Sequence, residues 1–183
     1  MNTSDAAPIK TPLTLDDGVD FAIIEHLFFA YRDFTADPDA ILDEYGFGRA
    51  HHRVLHFVNR LPGLTVAELL EVLRITKQSL ARVLKQLIDD GYIVQIPGPR
   101  DRRQRELYPT GKGRTLALEL ALPQSRRIRA ALEEANPGDA AAVERFLRAM
   151  VNPELRAQMD KLPTGPLQIV RHDMVHQFRR PSR

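Results

Sequence analysis

Lys77, Gln78, Ser79, Arg82 and Lys85 recur at a spacing that brings them onto one side of a helix, with Ala81 the largest apolar group among them. Such a face offers a DNA major groove what its base edges and phosphates accept: bidentate donors for guanine, an amide for adenine, and cations for the backbone. Further along, Pro97-Gly98-Pro99 leads into a turn that carries Arg100, Arg102 and Arg103. Arginine at the tip of a β-ribbon suits the minor groove, where a weakly hydrated planar cation meets concentrated negative potential. Asp101 runs against DNA binding unless it does something else, and pairing with Arg103 would brace the loop, with a modest energetic effect if the pair is exposed. Taken alone, each of these sets is equally well an ordinary solvated surface.

The histidines allow a second chemistry. His52 and His56 stand four apart on one expected helix with His51 beside them, and His172 and His176 repeat that spacing, which can chelate a metal. Two histidines do not make a site, and nothing in the sequence nominates the missing ligands. The expected reading is that His52 and His56 are partly buried polar groups, with a metal-responsive regulator as the alternative. The absence of cysteine excludes disulfides, thiolate metal sites and a thiol redox switch. The sequence has no Gly-rich phosphate loop, no Gly-x-Ser-x-Gly elbow and no zinc-protease glutamate beside the histidines. No enzyme and no cofactor are expected.

Charge distribution separates the readings better than net charge. Between Arg74 and Arg114 there are ten Lys and Arg against four Asp and Glu, so of the chain's 26 basic and 24 acidic residues the remainder is 16 against 20. One basic segment in an otherwise acidic chain is the pattern expected when a single face meets phosphates. A winged helix that binds protein instead would turn an apolar or acidic face outward, which argues against that alternative. No apolar run is long enough to span a bilayer and residues 1–12 lack a secretory layout, so a cytoplasmic location is expected.

The elements that must position these residues follow from periodicity and punctuation. Residues 1–15 read as a flexible arm. Residues 16–45 form a region whose helix runs from about Asp16 to Phe34, with Val19, Ile23, Leu27, Ala30 and Phe34 on its apolar stripe and a break at Asp37-Pro38. Residues 46–109 carry the reading lobe. In it a helix from Gly46–Gly48 ends near Leu61-Pro62-Gly63, and Thr65 with Glu68 forms a capping box. Arg74-Ile75 makes the turn, Thr76 caps the helix bearing the basic face, and residues 92–96 and 104–108 form a hairpin. Residues 110–150 hold two further helices, 110–135 with Pro123 expected to kink or interrupt it, and 139–150; residues 151–183 are an extension. The expected fold class is mainly α with a small β-wing (α+β). The first helix and the last two carry more apolar surface than one small lobe covers, so they call for a second copy.

The run LTVAELLEVLRITKQSLARVLKQLIDDGYIVQIPGPRDRRQRELYPTGKGR resembles the winged helix-turn-helix of the MarR family of bacterial transcription regulators. That family's wing reads Asp-x-Arg followed after a short spacer by Leu-Thr-x-x-Gly, and Asp101, Arg103, Thr110 and Gly113 fall in register, within a likeness covering roughly residues 47–135. Two departures stand out. Arg74 occupies a turn position where glycine is common, and Pro109 replaces leucine, so the second wing strand is expected to end at Tyr108. The resemblance implies a homodimer on a pseudo-palindromic double-stranded operator, with its lobes spaced for successive major grooves. It also implies a repressor whose operator affinity responds to a small, often aromatic ligand held where the dimer helices meet the lobe. Phe28, Tyr31, Arg32, His52, Arg53 and His56 are the candidates for that pocket, and Thr76, Lys77, Gln78, Ser79, Arg82, Lys85, Arg100, Asp101, Arg102 and Arg103 are those for DNA.

Overall fold

Three threonines set the helix starts of the molecule's central lobe. The side-chain oxygens of Thr65, Thr76 and Thr110 accept the backbone N–H of Glu68 at 3.3 Å, Ser79 at 3.1 Å and Gly113 at 3.0 Å, each satisfying a donor that has no intrahelical partner. The computed structural model describes residues 12–14, 18–99, 104–135 and 139–163. In chain order its elements are α1 (Phe21–Glu44), α2 (Arg49–Arg60), β1 (Leu64–Thr65), α3 (Val66–Leu73), α4 (Lys77–Asp89), β2 (Ile93–Pro97), β3 (Arg105–Pro109), α5 (Gly111–Glu134), α6 (Ala140–Met150) and α7 (Pro153–Met159).

The sheet is antiparallel with strand order β1-β3-β2. Leu64 lies opposite Leu107 and Thr65 opposite Glu106, while β2 and β3 pair from Ile93↔Pro109 to Pro97↔Arg105. Pro109 therefore belongs to β3, one residue past the expected end. Because β1 covers only Leu107 and Glu106, one edge of β3 has no partner strand at Pro109, and a missing donor costs little there.

One core joins these pieces. Val54, Leu55 and Val58 of α2 meet Leu69 and Leu73 of α3, Leu80, Val83 and Leu87 of α4, Ile93 and Leu107 of the sheet, and Leu116 and Leu120 of α5, all at or below 3% exposure. The architecture is mainly α with a small three-stranded antiparallel sheet, as expected.

The first helix departs from expectation. It begins at Phe21 under an Asp20 cap, which accepts the Ile23 N–H at 3.3 Å, and it runs through Pro38 to Glu44 instead of stopping at Asp37. Proline in a helix interior removes the N–H that would reach the carbonyl four residues back, here Phe34. Gln124 of α5 donates to that same carbonyl at 3.1 Å, and Pro38 is buried. The lost ladder bond is replaced from another helix, so the break never forms. Pro123 likewise does not interrupt α5. Asp37 and Arg127 tie the two long helices together at 2.8 Å, and the guanidinium holds the Asp37 carboxyl below its ordinary value.

Two apolar faces remain uncovered. On α1, Ile23, Ile24, Leu27, Phe28 and Tyr31 are exposed, Phe28 to 65%, and on α6 Val143, Phe146, Leu147 and Met150 are each at least 41% exposed. The corner between α6 and α7 is fastened by guanidinium groups. Arg156 donates to the carbonyls of Val151 at 2.8 Å and Ala149 at 2.6 Å, and Arg148 pairs with Asp160 at 2.8 Å. Among the described residues no helix is long and apolar enough to cross a membrane.

Candidate nucleic-acid interface

The outward face of α4 is built by what its other face must do. Leu80, Val83, Leu84 and Leu87 are buried, which turns Lys77, Gln78, Ala81, Arg82 and Lys85 to solvent. Lys77, Gln78 and Arg82 make no side-chain hydrogen bond or ion pair with the described residues, so their donors stand ready for an external acceptor. Lys85 is instead paired with Asp89 one turn later, an exposed i,i+4 contact of small energy that the basic count alone does not reveal. Thr76 is exposed and its hydroxyl is engaged as the α4 cap, while Ser79 is half-buried and gives its backbone N–H to that cap.

Beside this helix stands the β2–β3 ribbon. Val94 and Ile96 are exposed on it, and Gly98 N–H closes its end on the Gln104 carbonyl at 2.8 Å. Arg100, Asp101, Arg102 and Arg103, together with the expected Asp101–Arg103 brace, lie outside the described residues. Arg105, exposed at the start of β3, is the last rung before that tip.

Two side chains of α2 hold the helix-turn-helix. Arg53 donates to the Leu73 carbonyl at the end of α3 at 2.8 Å. His51 stacks on Phe47 with ring centroids 4.7 Å apart, its Nδ1 accepts the Gly48 N–H at 3.1 Å, and its Nε2–H then donates to Gln86 Oε1 of α4 at 2.9 Å. The turn between α3 and α4 is made by Arg74 at φ 48°, a left-handed conformation. A tight turn between two short helices, a second helix with an uncommitted basic face and an adjoining ribbon together form the geometry of a winged helix-turn-helix reader.

Residues 45–104 match the model of the MarR family. Over 139 residues, 76% of this chain and 84% of the relative, the sequence is 52% identical to the HTH-type transcriptional regulator PetP of Rhodobacter capsulatus. The chain belongs to the MarR family. Solved structures share the fold: a MarR protein from Peptoclostridium difficile (19% identity, TM-score 0.64, 83% of this chain and 99% of that one) and the transcriptional regulator Tm0710 of Thermotoga maritima (20% identity, TM-score 0.54, 77% and 96%). As a MarR-family chain it is a winged-helix transcription regulator.

The six pocket candidates lie on α1 and α2. Phe28, Tyr31 and Arg32 lie exposed on α1, with Arg32 paired to Asp33 at 2.8 Å and its guanidinium 5.0 Å from the Phe29 ring. On α2, Arg53 is committed to α3, His52 is half-buried and His56 reaches the surface. Burial pushes His52 below the ordinary histidine value, opposed by Asp39. His56 is pushed the same way by crowding from protein atoms and by the charges of His52 and Arg60. None of the six lines either of two open clefts on the surface. One, of about 330 Å³, is bounded by Tyr45, Tyr92, Lys112, Thr115, Leu116 and Glu119, and the other, of about 590 Å³, lies along Asp37, Pro123 and Arg127. Among the described residues no group of three or more His, Asp or Glu gathers to hold a metal.

Proposed function

We propose that this chain is a homodimeric repressor that acts in the cytoplasm by binding a pseudo-palindromic operator, without catalysis. The observation that carries the reading is the face of α4, where Lys77, Gln78 and Arg82 have no partner among the described residues. In this reading Gln78, Ser79 and Arg82 meet base edges and Lys77 and Lys85 meet phosphates. Thr76 orients the helix start, Arg100 or Arg102 enters the minor groove, and Asp101 braces Arg103. Lys85 exchanges Asp89 for phosphate at small cost, because the pair is exposed.

The exposed apolar faces of α1 and α6 support the second copy, since a contiguous apolar surface of this kind is what a symmetric interface covers. Operator affinity then responds to a small aromatic acid received near Phe28, Tyr31 and Arg32 of α1 and His52, Arg53 and His56 of α2, the two helices that connect the dimer face to the lobe. The test is titration of operator fragments captured from the organism's own genome against competitor DNA. A complex of two chains per site that weakens steeply with salt is expected. Absence of any specific complex at every salt concentration overturns the proposal.

A further inference from the structure

Between Leu73, the last residue of α3, and Lys77, the first of α4, every structural duty is carried by a group other than the Arg74 side chain. The Leu73 carbonyl accepts from Arg53 at 2.8 Å, and the Arg74 N–H reaches the Leu70 carbonyl at 2.9 Å. Ile75 packs against the core, and the Thr76 hydroxyl caps α4 by accepting the Ser79 N–H at 3.1 Å. The Arg74 side chain is exposed and makes no hydrogen bond or ion pair with the described residues, Glu71 one turn back included.

That side chain is held against the backbone's preference. At φ 48° and ψ 46° residue 74 is left-handed, a conformation in which a Cβ crowds the neighbouring carbonyl and which a helix end ordinarily gives to glycine. Nothing the guanidinium touches in the fold offsets the strain. Strain without internal compensation points to a contact made outside the molecule.

The position of the residue decides which contact. In a helix-turn-helix the first helix crosses the DNA backbone while the N-terminal residues of the second enter the major groove, so the joint between them passes beside the phosphates that edge the groove. Arg74 stands in that joint. No Asp or Glu follows it until Asp89, so its charge adds to those of Lys77, Arg82 and Lys85. A guanidinium is weakly hydrated and its planar fork matches two phosphate oxygens at once.

We propose that Arg74 clamps one DNA backbone phosphate in each half-site from the turn between α3 and α4; this rests on the operator-binding reading above. The clamp adds affinity and salt dependence on any duplex, because a phosphate carries no sequence information.

The experiment titrates the full chain and its Arg74→Gln, Arg74→Gly and Arg74→Lys variants onto a captured operator fragment and onto an unrelated duplex across a range of salt, with urea unfolding of each protein. Glutamine removes the charge and keeps the left-handed Cβ, whereas glycine removes both. Both variants should bind about tenfold more weakly at low salt, with a slope of log affinity against log salt shallower by about 0.9 for the lost phosphate, equally on the two duplexes. Lysine should keep the parent slope. The glycine variant should lose this affinity while being no less stable than the parent, a divergence that a purely structural role does not produce. Unchanged affinity and slope in Arg74→Gln overturn the clamp, as does a loss confined to the operator, which assigns the guanidinium to a base edge. Affinity lost by the glycine variant alone, together with stability, returns the residue to the turn and also overturns it. The parent on the two duplexes separates the readings: equal affinity for both removes the operator reading, and the slope change on the unrelated duplex still decides the clamp.

Discussion

Gln124 Nε2 donates at 3.1 Å to the carbonyl of Phe34, the oxygen that Pro38 leaves without its helical partner. A side chain of α5 thereby completes the backbone ladder of α1. Gln124→Ala should lower unfolding free energy by about 1–2 kcal/mol, the cost of orphaning a part-buried acceptor. In a Pro38→Ala background residue 38 regains its N–H and can serve Phe34, so the cost of removing Gln124 should shrink to roughly a few tenths of a kcal/mol. Urea denaturation of the four proteins measures this, and equal costs in both backgrounds contradict the relationship.

Gly113 has a different constraint from the other glycine at the start of α5. A Cβ there would fall 2.0 Å from the Tyr92 carbonyl oxygen, which also accepts the Thr110 N–H at 3.0 Å, whereas a Cβ on Gly111 meets nothing within 4 Å. The obstacle is backbone and cannot swing aside. Gly113→Ala should therefore destabilise by about 3 kcal/mol or more through overpacking, while Gly111→Ala should be neutral or stabilise by up to about 1 kcal/mol. Thermal unfolding of the pair distinguishes close approach from simple loss of glycine flexibility.

Arg74 is the one non-glycine residue at positive φ among the described residues. Relieving that strain by Arg74→Gly should raise stability by roughly 0.5–1 kcal/mol, the left-handed penalty less the added entropy of the unfolded chain. Arg74→Val should lower it, because a β-branched side chain tolerates this region least. A glycine variant less stable than the parent by urea unfolding would mean that the guanidinium holds the turn by contacts that outweigh the strain.

Partial burial holds His52 below the ordinary histidine value in the folded chain, and crowding by protein atoms with the charges of His52 and Arg60 moves the surface-reaching His56 the same way. Both stay neutral in the fold but take up a proton when unfolded below about pH 6.5. Their contribution is therefore complete above that pH and is lost as pH falls through the lowered folded values. The melting temperature should drop between pH 7 and 5, and His52→Gln with His56→Gln should flatten that drop. The larger share belongs to His52, because His56 reaches the surface and water offsets its crowding. A pH profile unaltered by the double substitution contradicts the assignment.

What the residues reveal in one dimension is local. The Thr65–Glu68 capping box, the Thr76 cap and the opposed faces of α4 each depend on residues within a turn or two, and the structure has all of them. The stop expected at Pro38 does not occur because its rescue comes from Gln124, far away in sequence. His51 stands beside the His52–His56 pair in sequence, yet its role in linking Gly48 to Gln86 exists only once α2 crosses α4. Lys85 with Asp89 is legible as an i,i+4 pair, although a count of basic residues alone conceals it.

The 24-residue α5 has its Gly113, Leu116 and Leu120 sunk in the lobe, while its later residue Ile128 is exposed at the other end. At about 1.5 Å per residue it is a rod of roughly 36 Å, with α2 and β3 of the reading lobe packed against it and, in the proposed dimer, the contact with a second copy nearer its other end. Such a rod works as a lever: a tilt of about 10° at one end sweeps the other through roughly 6 Å, half the width of a major groove. In the proposed dimer, small repacking far from DNA would be geared up into loss of register, with the stiffness of α5 along its length setting the ratio.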